Sequence, residues 1–114
     1  GASYIPIPGY GIQLPSAGTY QITTTIHVNA GSGSQTALLM LLYDQVADIV
    51  IPNSESYIYY YNQSELTPIT MISYCTVAGP AYIEVRGRNS NSTSVQIYSG
   101  GLGRTKISFL KVSD

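Results

Sequence analysis

The chain has one cysteine, one histidine, one phenylalanine and no tryptophan among its 114 residues, and only 10% of them are charged. Each scarcity excludes something. With Cys75 alone, no intramolecular disulfide can form, so the sequence is not a cysteine-stapled secreted scaffold, and folding in a reducing compartment is allowed. Ordinary globular domains are about a quarter charged, and the formal net charge here is −1, so solubility falls to Ser, Thr, Asn and Gln. The five basic residues, Arg86, Arg88, Arg104, Lys106 and Lys111, make no dense positive stripe, which argues against nucleic acid as a partner. No stretch approaches the roughly 18 to 20 apolar residues that cross a bilayer, so membrane insertion is not expected.

Catalytic and metal chemistry is equally thin. His27 stands among threonines on an alternating segment, and no Gly-x-Ser-x-Gly elbow accompanies it, so a hydrolase triad is not expected. Cys75 sits in an apolar run without a neighbouring cation to lower its pKa and reads as a small core residue. Asp44, Asp48 and Glu55 are the one acidic cluster, too sparse for the six to eight oxygens of Ca²⁺. Gly100-Gly101-Leu102-Gly103 lacks the Lys-Ser/Thr of a phosphate loop. The expectation is a non-enzymatic protein with no cofactor and no metal.

What is present is apolar content of 44% and an alternating pattern. The length and content fit one domain over residues 1–114 with a single core. Gly1-Ala2 reads as a cloning remnant ahead of a piece of a longer fibre protein. Tyr20, Ile22, Thr24, Ile26 and Val28 share one face of a predicted strand, with Gln21, Thr23, Thr25 and His27 on the other. Further strands are predicted over 36–43, 46–51, 57–61, 69–77, 82–88, 94–98 and 106–112, separated by Pro-, Gly- and Asn-rich turns. Short strands at such spacing point to an all-β antiparallel fold, a two-sheet sandwich or jelly roll.

Two features stand out. Ala37-Leu38-Leu39-Met40-Leu41-Leu42 is apolar on both faces. As a strand it needs a core on one side and another element, or another copy of the chain, on the other; a short buried helix is the competing reading. Tyrosine accounts for 11 residues. Its ring gives apolar contact area with a polar tip, which suits interfaces and ligand-facing surfaces as well as core positions whose hydroxyl reaches the rim. Tyr57, Tyr59 and Tyr61, with Asn62, Asn89 and Asn91 in amide- and hydroxyl-rich loops, form the candidate ligand-binding set, a sugar being the ligand such groups would hold.

Gly18-Thr19-Tyr20 followed by the alternating strand resembles the Gly-x-Tyr that opens a core strand in the complement/tumour-necrosis-factor-like superfamily. Residues 69–77, Gly79 and 81–89 resemble that family's strand, glycine turn and strand, and Ile107 to Val112 its closing strand, so the likeness spans about residues 10 to 112. The Cys-poor, Ser/Thr-rich style is similar to phage and bacterial members. The family often has Gly-Asp where this chain has Gly79-Pro80, so any calcium role of that Asp is not carried over. The resemblance implies a homotrimer whose apolar and aromatic side chains meet near a three-fold axis, with Leu38, Met40, Leu42, Tyr60 and Tyr74 at the interface. It further implies the head of a viral or phage fibre, displayed on a virion surface or an extracellular surface fibre. That head would bind a host-surface glycan or protein receptor. The alternative is a structural trimerisation cap on a bacterial or spore-surface collagen-like fibre.

Overall fold

The computed structural model describes residues 4–29, 36–60, 67–89, 96–98 and 106–114. These residues form nine strands and no helix: β1 (Ile5–Leu14), β2 (Gly18–Asn29), β3 (Thr36–Asp44), β4 (Ile49–Val50), β5 (Ser56–Tyr60), β6 (Thr67–Val77), β7 (Ala81–Asn89), β8 (Gln96–Tyr98) and β9 (Lys106–Ser113). All pairings are antiparallel. The five-stranded sheet runs β1-β7-β3, with β4 and β5 sharing the far edge of β3. In the four-stranded sheet β6 pairs one edge of β2, and β8 and β9 follow one another along its other edge.

Alternation places the core as expected. Tyr20, Ile22, Thr24 and Ile26 of β2 are buried, while Gln21, Thr23 and Thr25 are half-exposed. Met71, Cys75 and Val77 continue that apolar layer from β6. Leu14, Leu38, Met40, Leu42, Ile51, Ile83 and Val85 meet it from the other sheet. Each fully buried Leu or Ile contributes about 1.5–3 kcal/mol relative to exposure, and this interdigitated layer holds the sheets together. Tyr20 is the core kind of tyrosine: its ring is fully buried, its hydroxyl donates to the carbonyl of Ser16 at 2.9 Å, and Phe109 meets it edge-on at 5.5 Å between centroids.

The strand predicted over 36–43 is present as residues 36–44, with alternate side chains facing opposite ways, and the competing helix is not formed. Two other expectations change. The predicted strand over 46–51 is reduced to the two residues of β4. Asp44 decides this: one carboxylate oxygen accepts from the backbone N–H groups of Val46 and Ala47, and Asp48, at φ 60°, donates its N–H to the Asp44 carbonyl. A short polar side chain satisfying its own backbone stabilises a turn over a strand. Ser54 then fastens the following loop, its hydroxyl donating to the Ile51 carbonyl and accepting from the N–H of Leu42.

The second change is β1, a ten-residue strand through Pro6, Pro8, Gly9 and Gly11 that the pattern did not predict. Among the described residues it pairs only with β7. An edge strand can hold prolines because one side of its backbone needs no donors. Gly9 takes φ +83° where the register with β7 shifts, as at a bulge.

Candidate functional site

The described residues leave two outward sheet faces, of different chemistry. On the five-stranded sheet the ladder aligns side chains in rows. Leu39 lies between Tyr57 of β5 and Arg88 of β7, Leu41 pairs with Arg86, and Tyr43 pairs with Glu84. Glu84 is only 5% exposed although it faces outward. One of its oxygens accepts from Nε and Nη2 of Arg86 at 3.0 and 2.9 Å, and the other accepts from the Gln45 amide at 3.1 Å. The Arg86 guanidinium also sits over Tyr43, 3.5 Å from the ring centroid. Such a charge-assisted, stacked arginine is held rigidly, and its stem lies across the strand that carries Leu41.

Beside this cluster, Tyr82 lies over Gly11, the β1 position opposite Glu84. A side chain at Gly11 would run into that ring. Further along, the guanidinium of Arg88 sits 5.3 Å from the centroid of Tyr4. Among the described residues the ion pairs are Arg86 with Glu84 and Lys111 with Asp114, so Arg88 has no carboxylate partner there.

The four-stranded sheet presents a different surface. Its rows read Tyr74–Gln21–Leu110 and Ile72–Thr23–Ser108, with Thr70–Thr25–Lys106 beyond. Tyr74 and Ile72 are each 59% exposed, Leu110 61% and Val112 48%. Hydrogen bonds order the face from within: Gln21 donates to the Tyr74 hydroxyl at 3.1 Å, and the Thr19 and Thr76 hydroxyls meet at 2.8 Å. Apart from Lys106, these rows are uncharged.

The expected site residues divide between these faces and the interior. Tyr57, 68% exposed, lies on the arginine face, and Tyr74 lies on the uncharged face. Leu38, Met40 and Leu42, expected between copies, sit instead in the chain's own core at 4%, 0% and 1% exposure, which leaves a copy nothing of theirs to cover. The physical reason is the second sheet: its β2 and β6 side chains already cover that side of β3. The other side of β3 is covered in part as well, since Leu41 is only 4% exposed opposite Arg86. For Tyr59, Tyr60 and Asn89 the backbone alone is described, pairing with Ala37, Thr36 and Leu38 in turn. Tyr61, Asn62 and Asn91 lie outside the described residues.

Other candidates find structural places. His27 takes an outward β2 position, opposite Pro68 and Tyr98. Asp44 is buried and committed to its turn, and among the described residues no three His, Cys, Asp or Glu gather as metal ligands would. Cys75 is buried, and burial, followed by the charge of Asp44, pushes its thiol above the usual pKa.

Sequence reasoning passed over Glu84 and the roles of Arg86 and Arg88. The available signal was Glu84-Val85-Arg86-Gly87-Arg88, which puts one acid and two bases at period two on a single strand face. No family model matches the chain, and no curated protein matches it.

Proposed function

We propose that the domain is a non-enzymatic head that assembles as a homotrimer at the end of a viral or phage fibre and attaches it to a host-surface receptor, with a glycan as the favoured class. The observation that supports assembly is the outer face of the four-stranded sheet, whose rows carry one charge, Lys106, and where Ile72, Tyr74, Leu110 and Val112 are exposed on the two strands that flank β2. Exposed large apolar and aromatic side chains on one sheet face suit an interaction surface. Copies of one chain can meet through the Tyr74–Gln21–Leu110 and Ile72–Thr23–Ser108 rows without like-charge repulsion, with Lys106 beyond them at the rim, and the core of an interface favours such depletion of charge and presence of aromatics. Because the two faces are back to back, association through one leaves the Tyr57 and Arg88 face open to a receptor, repeated in each copy for avidity.

Light scattering combined with a glycan array tests this. The reading expects three times the chain mass at micromolar concentration and selective glycan retention. A lone chain that binds no glycan overturns it, and new reducing ends on incubation with polysaccharide would make the protein an enzyme instead. A second reading, a structural cap fixing the register of a collagen-like surface fibre, draws on the same uncharged face but has no use for the arginine face. Gly-X-Y repeats in the parent protein together with an empty glycan array would favour it.

A further inference from the structure

We propose that Arg88 is a carboxylate-binding residue, and that the row Tyr57, Leu39, Arg88 with Tyr4 is a subsite for an acidic sugar. This rests on the glycan-binding reading and names the class of glycan.

The argument starts from the difference between two arginines on one strand. Arg86 is committed inside the chain: Glu84 takes two of its N–H groups, and Tyr43 takes one face of its guanidinium. Arg88, two residues on and facing the same way, has a ring beside it at Tyr4 but no carboxylate among the described residues. An aromatic ring beneath a guanidinium orients it through its face and leaves the N–H donors along its edge for something else. A planar fork of donors is matched best by a carboxylate, which it can engage with two parallel hydrogen bonds.

The neighbours favour a sugar over a bare anion. Leu39 separates Arg88 from Tyr57 by one strand on each side, so the two lie about 10 Å apart across the sheet at two strand spacings. Leu39 forms a half-buried apolar floor, and the Tyr57 ring stands largely exposed beyond it. A saccharide with its carboxylate on Arg88 would reach along this floor and lay the C–H face of an adjoining ring against Tyr57. A neutral sugar would have no need of the arginine. A small inorganic anion would have no need of the floor or the tyrosine.

The test titrates the whole domain with oligogalacturonate and a sialyl-oligosaccharide, and with the same compounds after their carboxyls are reduced to alcohols, by calorimetry and by NMR shifts. At least one acidic compound should bind, and its reduced form should bind about ten- to a hundredfold more weakly, the usual worth of a hydrogen bond to a charged group. Arg88→Gln should abolish the preference, Arg88→Lys should keep part of it because charge remains without the fork, and Tyr57→Ala should weaken acidic and reduced forms alike. Circular dichroism of each variant establishes that it folds. Equal binding of acidic and reduced forms, or full affinity in Arg88→Gln, overturns the carboxylate assignment and leaves the glycan reading standing. No binding of either form, with an empty glycan array, overturns both.

Discussion

The guanidinium of Arg86 lies 3.5 Å from the centroid of Tyr43 while two of its nitrogens donate to one oxygen of Glu84. Aromatic face and carboxylate together fix the outward surface of β7 against β3.

Replacing Glu84 by Ala should therefore cost about 1–3 kcal/mol of unfolding free energy in urea, because a largely buried arginine then loses its acceptor and Gln45 loses its own. Arg86→Lys should recover only part of the loss relative to Arg86→Ala. An ammonium can face Glu84 but cannot stack on Tyr43 and hold two donors on one Glu84 oxygen from a planar group at once. Equal stability of Arg86→Lys and wild type would show that charge alone matters there.

Gly18 marks where the end of β9 closes on the start of β2. It has φ +149°, and a Cβ on it would lie 2.7 Å from the carbonyl oxygen of Ser113. Backbone cannot swing aside as a side-chain tip can. Gly18→Ala should cost about 1–3 kcal/mol in urea unfolding, through an unfavourable φ and displacement of the last residues of β9. Gly79→Ala, with open space around its position, should cost far less and serves as the control.

These residues also show what the sequence could reveal. β2 was legible because its buried and exposed positions alternate without a break from Tyr20 to His27. β1 was hidden because Pro6, Pro8 and Gly9 are turn signals unless a strand lies at an edge, and edge position is a property of the sheet. The 46–51 segment is apolar enough for a strand, but the hydrogen bonds that the Asp44 carboxylate accepts from Val46 and Ala47 prevail over composition. The greasy outer side of β3 suggested a second copy, whereas part of its cover is the stem of Arg86, a residue whose charge disguises its apolar length. Tyr57 was found from its exposure-prone type, while Arg88 became visible only when register put it beside Leu39.

Assembly through the uncharged face makes a mutational prediction. Leu110→Lys and Ile72→Lys each place a charge where three copies would meet, on side chains already exposed in the single chain. The mass by light scattering should fall to that of one chain, with the unfolding transition of the isolated domain shifted by less than about 0.5 kcal/mol, as for surface substitutions. Lysine at Val46, more exposed still but in the Asp44 turn, should leave the mass unchanged. Unchanged mass in both face variants would remove this surface from the interface.

Cys75 supplies a pH-dependent check on the packing. Its side chain is 5% exposed, and burial, with a smaller push from the negative charge of Asp44, raises its pKa above the ordinary 9.0. The folded chain therefore keeps the thiol proton to higher pH than the unfolded chain does. The sign follows by linkage: this group's contribution to stability is complete below about pH 9 and is lost as pH rises past the unfolded value toward the folded one. Stability should accordingly fall above about pH 9 more steeply in the wild type than in Cys75→Ala, which loses a little packing but has no thiol to ionise. The difference between the two curves isolates the thiol from every group the two proteins share. At about pH 8 a thiol reagent should label native protein only as fast as the sandwich opens, so the rate should climb with urea. Rapid labelling without denaturant would mean that the layer formed by Tyr20, Met71 and Val77 does not exclude solvent from Cys75.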